Sequence, residues 1–375
     1  MTRCTEVDGP SASRSCSVMV VLSVVAGSAR LRSVDRMQVS VGTMVSSHDD
    51  IEFVRDCERL GVSTVWVPEV WGYDAMTPLA HLAALTDRIR LATGIVQLGA
   101  RTPAMLAMQA MSLQQLSGGR FVLGVGTSGP RIMNAWHGVP FARPIELTRE
   151  TIDIVRMIAR GDRLEYEGSL FHLPPPGAGK GIRSLAPACE PIPMFIASLG
   201  PRNLRLTGEI ADGWLGNAFM PETAEVFLHH LREGCDGAGR RLEDLELAMP
   251  VAVEFTDDVE GVSRRHANGY AFTIGSMGSK SANFYSTAFA AQGFADEVAE
   301  VAELWAAGRR EEAERKVPIE IGFRTNLLGT PEIVKERIRL YRDVGITMLQ
   351  AKVSGENRRD VVAQLVDLVA EVNAE

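Results

Sequence analysis

The stretch that decides the fold is residues 116–130, LSGGRFVLGVGTSGP. Residues 121–126 form a nearly continuous apolar run, which is typical of a parallel strand covered by helices on both faces. A helical pattern over residues 103–116 precedes this run, with a proline in its first turn and two glycines after its end. A second glycine-rich turn follows at residues 126–130. The stretch therefore predicts a helix, a buried parallel strand and a turn at the carboxyl end of that strand.

The same alternation extends from this stretch in both directions. Short β-branched runs alternate with longer helical patterns, which is the signature of βαβ units and a parallel sheet. The predicted strands are residues 39–44, 64–68, 89–97, 121–126, 192–198, 213–217, 245–255 and 345–353. The predicted helices are residues 49–60, 76–85, 103–116, 145–160, 202–210 and 224–234. This order predicts a single (β/α)8 TIM barrel with insertions. A doubly wound dinucleotide fold is disfavoured, because it needs a GxGxxG motif directly after the first strand and residues 39–46 contain only one glycine, Gly42.

Three segments fall outside the regular alternation. Residues 161–191 lack periodicity and contain three consecutive prolines, so we expect an insertion loop there. Residues 257–325 are mainly helical in pattern, and we expect this insertion to cover the mouth of a pocket. Residues 1–36 are predicted to be a disordered leader or an over-extended gene start, with a poor secretory signal as the alternative, because Met37 stands immediately before the first strand. The barrel is therefore assigned to residues 37–375.

Composition narrows the classes of function. The chain of 375 residues has a formal net charge of −8 and no basic run, which disfavours nucleic acid and anionic membranes as partners. Its five cysteines include no CxxC pair, so neither a zinc site nor a disulfide framework is predicted, and a reducing cytoplasmic location fits best. His229 and His230 are adjacent on a predicted helix, and we expect them to point to different faces and to bind no metal.

The chemistry is expected just past the carboxyl ends of the strands, where barrel enzymes place their sites. The residues there are mostly small, hydroxylic and aromatic, which suits a flat ring better than a metal. After strand five, a glycine-containing turn at residues 197–201 opens a helix and would present free N–H groups to a phosphate, with Ser198 and Gly200 as the contacts. The alternative is an ordinary β–α turn in which Gly-Pro starts the helix.

Several motifs together resemble a known family. They are residues 69–78 (EVWGYDAMTP), 92–103 (ATGIVQLGARTP), 116–130, 136–138 (WHG), 197–201 (ASLGP) and 208–214 (GEIADGW). In this order they resemble the luciferase-like oxidoreductases, and within them the coenzyme F420-dependent branch related to methylenetetrahydromethanopterin reductase and F420-dependent glucose-6-phosphate dehydrogenase. The resemblance implies a bacterial luciferase-like barrel, hydride transfer between F420 and a small organic substrate, and a homodimer.

The resemblance also implies a cofactor site. Its residues would be Glu69, Gly94, Ile95, Thr127, Ser128, Gly129, Ser198, Leu199, Gly200 and Pro201. The peptide bond between Gly94 and Ile95 would be cis and would bulge against the deazaflavin ring. Thr127 and Ser128 would flank the ring or the ribityl chain, while Leu199 and Gly200 would bind the phosphate. Trp214 and Asn217 are further candidates for the pocket wall.

Single residues leave alternatives open. Glu69 and His137 are the candidates for proton transfer, but Glu69 could instead bind a cofactor hydroxyl or cap a helix, and His137 could be held by a neighbouring carbonyl. Arg101 could meet an acidic cofactor tail or be solvated. Lys352, at the end of strand eight, could form a Schiff base, although a surface or phosphate-facing lysine is more common there.

Two departures from the resemblance bear on the substrate. The glucose-phosphate enzymes have a histidine and a glutamate where this chain has Val70 and Gly129, so glucose 6-phosphate is not the expected substrate. Three alternatives to an F420 enzyme stay open. They are an FMN-dependent luciferase-like monooxygenase, a non-catalytic flavin- or deazaflavin-binding protein, and a cofactor-free barrel lyase or hydrolase.

Overall fold

A computed structural model describes residues 36–277 and 283–375. The predicted leader therefore lies outside the described residues, apart from Arg36. Across these two ranges, no helix has both the length and the apolar character that a membrane crossing requires.

The described chain alternates strands and helices. The strands are β1 (Gln38–Gly42), β2 (Thr64–Val67), β3 (Arg90–Thr93), β4 (Val96–Gln97), β5 (Phe121–Gly126), β6 (Tyr166–Glu167), β7 (His172–Leu173), β8 (Met194–Ala197), β9 (Gly213–Leu215), β10 (Glu246–Phe255), β11 (Leu327–Gly329) and β12 (Met348–Lys352). The helices are α1 (His48–Arg59), α2 (Met76–Ala83), α3 (Pro103–Leu116), α4 (Pro130–Ala135), α5 (Pro144–Ala159), α6 (Pro201–Ile210), α7 (Glu225–Gly237), α8 (Val259–Ser276), α9 (Phe284–Phe289), α10 (Ala295–Ala306), α11 (Arg310–Lys316), α12 (Ile319–Arg324), α13 (Pro331–Asp343) and α14 (Arg358–Asn373).

Eight of these strands close into a parallel barrel. Their order is β1, β2, β3, β5, β8, β9, β10 and β12, and β12 pairs with β1 to close the ring. The predicted (β/α)8 barrel is therefore confirmed, and β5 and α3 have the predicted bounds. The strand predicted over residues 89–97 is split into β3 and β4, because the chain leaves the sheet between them. The short hairpin of β6 and β7 and the strand β11 were not predicted.

The interior of the barrel is filled by side chains. Successive residues of a strand point to opposite faces, so alternate residues of the barrel strands point inward. The inward cluster consists of Trp66, Ala92, Val122, Phe195, Leu215, Ala248 and Met348. Trp66 and Phe195 meet edge to face at its centre, with ring centroids 5.1 Å apart. The outward-facing residues join the larger core between strands and helices. A ligand can therefore approach the barrel only at its ends.

The amino end of the barrel is crossed by a buried ion pair. Arg90 Nη1 lies 2.8 Å from Glu246 Oε1, and Nη2 lies 2.6 Å from Oε2, so the two groups interact in a bidentate manner. Arg90 Nε donates to Thr64 Oγ1 at 3.0 Å. A groove of about 1170 Å³ also lies at this end, lined among others by Met37 and Leu247. It is on the side opposite to the one where barrel enzymes form their sites.

Polar anchors fix two of the connecting segments. Ser47 Oγ accepts from Asp50 N, and the Asp50 carboxylate accepts from Ser47 N, so a capping box begins α1 one residue before the predicted start. The buried Glu150 of α5 accepts three hydrogen bonds of 2.8 to 3.0 Å from the backbone N–H groups of residues 169–171. The Glu150 carboxylate therefore fastens residues 169–171 of the insertion to α5.

The ion pair at the amino end provides a test of the fold. Arg90→Met would leave the Glu246 carboxylate, 5% exposed, without its cation, so we expect the free energy of unfolding to fall by about 3 kcal/mol. The double variant Arg90→Met/Glu246→Met should recover most of this loss, because neither charge remains buried. Unfolding in urea measures the free energy of unfolding of the single and the double variant. Arg149→Met, which removes an exposed pair with Glu209, is the control and should cost less than about 1 kcal/mol. Equal losses in the two arginine variants would contradict the expectation.

Candidate active site

The carboxyl ends of β3, β5 and β8 form an apolar floor. Ile95 and Ala197 are partly buried, and both pack on the interior cluster. A Cβ atom at Gly126 would clash with Ile95 Cδ1 and would lie 3.5 Å from Ala197 Cβ. The absence of a side chain at Gly126 therefore allows Ile95 to lie across β5. The result is a shallow apolar surface above the filled interior.

The peptide bond between Gly94 and Ile95 is trans. In the described ranges the single cis peptide bond is the one between Leu173 and Pro174. The cis bond implied by the family resemblance is therefore wrong for this structure. A cis bond outside proline costs about 3 to 4 kcal/mol. The trans chain avoids that cost and still makes its hydrogen bonds, since Gly94 N donates to Val67 O at 2.7 Å and β4 resumes pairing with β5.

The turn after β5 offers hydroxyl groups beside this floor. Thr127 and Ser128 are both half-buried. Ser128 has a φ of 58°, a left-handed conformation that is costly for a residue with a side chain. Its hydroxyl makes no hydrogen bond within residues 36–277 and 283–375. Gly129 begins α4 as its N-cap. The turn therefore presents donors to whatever lies on the floor.

The amino end of α6 is an open helix terminus. Its N-cap is Gly200, which supplies no side-chain acceptor, and no acidic residue lies in the first turn. Pro201 occupies the first helical position and has no N–H group. A Cβ atom at Gly200 would meet no atom within 4 Å, so the space before the helix is free of protein. Asn203 N and Leu204 N both donate to Gly200 O at 3.0 Å, so the terminus offers an anion the N–H of Arg202 and the positive end of the helix dipole.

Two residues predicted near this terminus are committed to the fold. Ser198 is 5% exposed, and its hydroxyl lies 2.8 Å from Thr207 Oγ1. Because Thr207 donates its own proton to Asn203 O, Ser198 must be the donor, so the hydroxyl is directed into the protein. Trp214 is fully buried in the outer core and donates to Ser198 O at 2.9 Å. Ser198 was predicted as a phosphate contact and Trp214 as part of the pocket wall; in the structure both side chains are hydrogen-bonded to buried partners within the protein.

Glu69 and Arg101 form a bidentate ion pair between the loops that follow β2 and β4. Each Glu69 oxygen lies 2.6 Å from a guanidinium nitrogen, and the two side chains are 8% and 16% exposed. The hydrogen bond with Glu69 raises the pKa of Arg101 above its ordinary value. Glu69 Oε2 also accepts from Ala75 N at 3.2 Å, at the start of α2. Of the alternatives for Glu69, helix capping matches the structure. Arg101 is neither solvated nor free, because it is paired.

Gln97 links this pair to His137. Its only signal in the sequence is its place at the end of a predicted strand. Gln97 Nε2 donates to Glu69 O at 3.2 Å and to Val70 O at 3.1 Å, which fixes the orientation of the amide. Its Oε1 lies 2.7 Å from His137 Nε2. Since Oε1 can only accept, Nε2 of His137 must carry the proton. His137 is therefore held by a side-chain carbonyl, and its Nδ1 is the nitrogen left for other partners.

His229 and His230 do not point apart as predicted. Their ring centroids are 5.2 Å apart, and both rings contact Glu233, at 3.5 Å and 2.9 Å. The reason is that residues three and four positions apart share one face of a helix. Arg205 donates to the same carboxylate at 2.7 Å and neutralises it. The arrangement is a cluster of polar side chains between α6 and α7. Asn217 accepts a hydrogen bond from Ala218 N, which stabilises the turn after β9.

The chain is similar to proteins named for coenzyme F420. A protein of Mycobacterium tuberculosis, provisionally named a coenzyme F420-dependent oxidoreductase, is 37% identical over 322 residues, which cover 83% of this chain and 93% of that protein. The solved structure of a coenzyme F420-dependent tetrahydromethanopterin reductase from Methanopyrus kandleri superposes with a TM-score of 0.75 at 22% identity, over 90% of this chain and 99% of the reductase.

A flavin enzyme shares the same fold. The FMN-bound oxygenating constituent of 3,6-diketocamphane monooxygenase from Pseudomonas putida superposes with a TM-score of 0.64 at 16% identity, over 90% of this chain and 98% of that chain. The family model described as luciferase-like monooxygenase matches residues 32–348. The predicted resemblance is thereby confirmed, and the chain belongs to the luciferase-like monooxygenase family.

Proposed function

We propose that this protein is an oxidoreductase that transfers a hydride between coenzyme F420 and a small organic substrate. The main support for this proposal is the apolar floor of Ile95, Gly126 and Ala197, which lies beside the open amino end of α6. A flat ring with a phosphate-bearing chain needs these two features side by side. The relative that is 37% identical is named for F420, which favours the deazaflavin over FMN.

The residues present fit such a cofactor. Ile95, Gly126 and Ala197 would hold the ring. The positive end of α6 and the N–H of Arg202, the first-turn residue that does not donate to Gly200 O, would bind the phosphate, with Gly200 allowing close approach. The hydroxyls of Thr127 and Ser128 would donate to its polar groups. When bound, the deazaflavin ring supplies the carbon that carries the hydride. The protein binds, orients and excludes water.

We assign Glu69 a positioning role. Both of its oxygens are bound to Arg101, and one also accepts from the amino end of α2, so the carboxylate has no free position for a substrate. Through Gln97 the same network fixes His137. With its Nε2 proton committed to Gln97, His137 would exchange a proton with a substrate through Nδ1. This makes His137 the candidate for proton transfer and Glu69 its indirect support.

The helical insertion over residues 257–325 is proposed to form part of the pocket mouth. A Cβ atom at Gly129 would lie 3.7 Å from Met277 O, so the end of α8 approaches the turn after β5. Differences in this insertion would then change which substrates enter. A homodimer and a cytoplasmic location remain predictions, as does the assignment of the catalytic domain to residues 37–375.

A side-by-side titration of the full chain with F420 and FMN, followed by fluorescence, tests the proposal. We expect F420 to bind with a dissociation constant on the order of micromolar and FMN to bind much more weakly. Tight FMN binding with oxygen uptake and no F420 binding would instead establish the FMN monooxygenase. Tight F420 binding without reduction or oxidation by any substrate of a broad panel would favour a non-catalytic binding protein.

Gly200→Ala tests the phosphate position. The backbone at Gly200 (φ −82°) accepts any residue, and the added methyl group meets no protein atom, so stability should not change. We expect F420 affinity to fall by roughly tenfold, because the methyl group would occupy the approach of the phosphate to the helix N–H groups. Gly237→Ala, at an exposed glycine that also has open space, is the matched control. Unchanged F420 affinity in Gly200→Ala would place the phosphate elsewhere.

A double-mutant cycle tests the role of Glu69. If Glu69 acts only through Arg101, then Glu69→Gln and Arg101→Met should weaken F420 binding by similar factors. The double variant should then bind F420 no more weakly than the single variant with the lower affinity. Fluorescence titration gives the three dissociation constants. Losses that simply add would show two independent contacts with the cofactor and would remove the positioning role. The exposed pair of Arg149 and Glu209 serves as the control cycle, with no expected change.

A further inference from the structure

Lys352 lies on the inward face of the barrel at its carboxyl end. It is the last residue of β12, whose Met348 belongs to the interior cluster, while Leu349 and Ala351 belong to the outer core. Because side chains alternate along a strand, Met348, Gln350 and Lys352 share the inward face. Gln350 does point toward the neighbouring strand β1 on this face: its Nε2 lies 2.8 Å from the position that a Cβ atom of Gly42 would occupy. Lys352 therefore stands one layer above Gln350, at the mouth.

The charge of Lys352 is not compensated by the parts of the chain that the structure describes. Its ammonium group forms no ion pair or hydrogen bond with residues 36–277 or 283–375. By contrast, Lys316 pairs with Glu300 and Lys335 pairs with Glu371. Surrounding protein atoms lower the pKa of Lys352 below its ordinary value, yet the side chain is still accessible to solvent. A cation that is partly desolvated and unpaired is stabilised strongly by an anion that reaches it.

The strand order puts Lys352 across the mouth from the proposed cofactor. In the closed ring β12 is four strands from β5 in either direction, so the two strands are opposite. The apolar floor uses β3, β5 and β8, and the open helix terminus follows β8. The side formed by β10, β12 and β1 is therefore left for the molecule that exchanges the hydride with the ring.

We propose that Lys352 binds an anionic group of the substrate, a carboxylate or a phosphate, and so selects acidic substrates. The inference rests on the proposed function, because it assigns the floor to the cofactor. A lysine ammonium suits this task as a compact charge with three donors that needs no fixed geometry from its partner. Lys352 would then hold one end of the substrate while the other end faces the ring. The cofactor phosphate is the other conceivable anion, and the experiment separates the two.

The experiment compares a charged and a neutral probe of the same shape. Benzoate and benzamide are titrated by calorimetry into the F420-loaded full chain and into its Lys352→Met and Lys352→Arg variants. We expect benzoate to bind the unaltered protein at least about tenfold more tightly than benzamide. Lys352→Met should abolish this preference, and Lys352→Arg should retain most of it. Lys180→Met, at an exposed lysine in the insertion loop, is the control and should behave like the unaltered protein.

The outcomes distinguish the two proposals. Equal binding of benzoate and benzamide to the unaltered protein, or an unchanged preference in Lys352→Met, overturns the role of Lys352. A fall in F420 affinity in Lys352→Met that matches the fall in benzoate affinity also overturns it, because the lysine would then serve the cofactor phosphate. If F420 itself fails to bind, the proposed function fails, and the same two probes titrated into the cofactor-free chain still test whether Lys352 selects anions.

Discussion

A parallel barrel of eight strands must fill its own interior, and this packing constraint determines the rest of the molecule. The edge-to-face contact of Trp66 and Phe195 occupies the centre, and the ion pair of Arg90 and Glu246 crosses the amino end. The apolar floor lies at the carboxyl end, where Gly126 has no side chain and so leaves room for Ile95. Because the interior is dense, the floor is rigid, which suits the orientation of a flat ring. The position of the candidate site is thus a consequence of core packing.

The loops at the carboxyl end are joined by one continuous polar network. Arg101, Glu69, Gln97 and His137 connect the segments after β2, β4 and β5. The hydrogen bonds of the network fix the tautomer of His137, whose Nδ1 they leave open, and use both oxygens of Glu69. A carboxylate that looks available for proton transfer in the sequence is therefore part of the scaffold. The network lets loops that are separate in the chain act as one wall of the site.

The distribution of charge at this end contrasts with that of the whole chain. The protein carries a net charge of −8, but the carboxyl end of the barrel presents the positive terminus of α6 on one side and Lys352 on the other. An apolar floor separates these two places. The arrangement fits two anionic ligands that meet over the floor, each held at its charged end. The electrostatic field at the mouth of the barrel is then determined by the dipole of α6 and the Lys352 side chain, and the net charge of the chain contributes little there.

The sequence by itself determined the barrel, since the two-residue period of strands and the 3.6-residue period of helices are local properties, and β5 and α3 even have their predicted bounds. It also determined the family and the glycine-rich turns beside the site. It did not determine which polar groups are free. The partners of Glu69 and His137 lie 32 and 40 residues away along the chain, and the Ser198 hydroxyl turns to a helix that follows it. Those pairings depend on distances that exist only once the barrel has closed. The tertiary structure alone therefore decided that the side chains of Glu69 and Ser198 are hydrogen-bonded within the protein, and that Lys352 faces the mouth unpaired by any described residue.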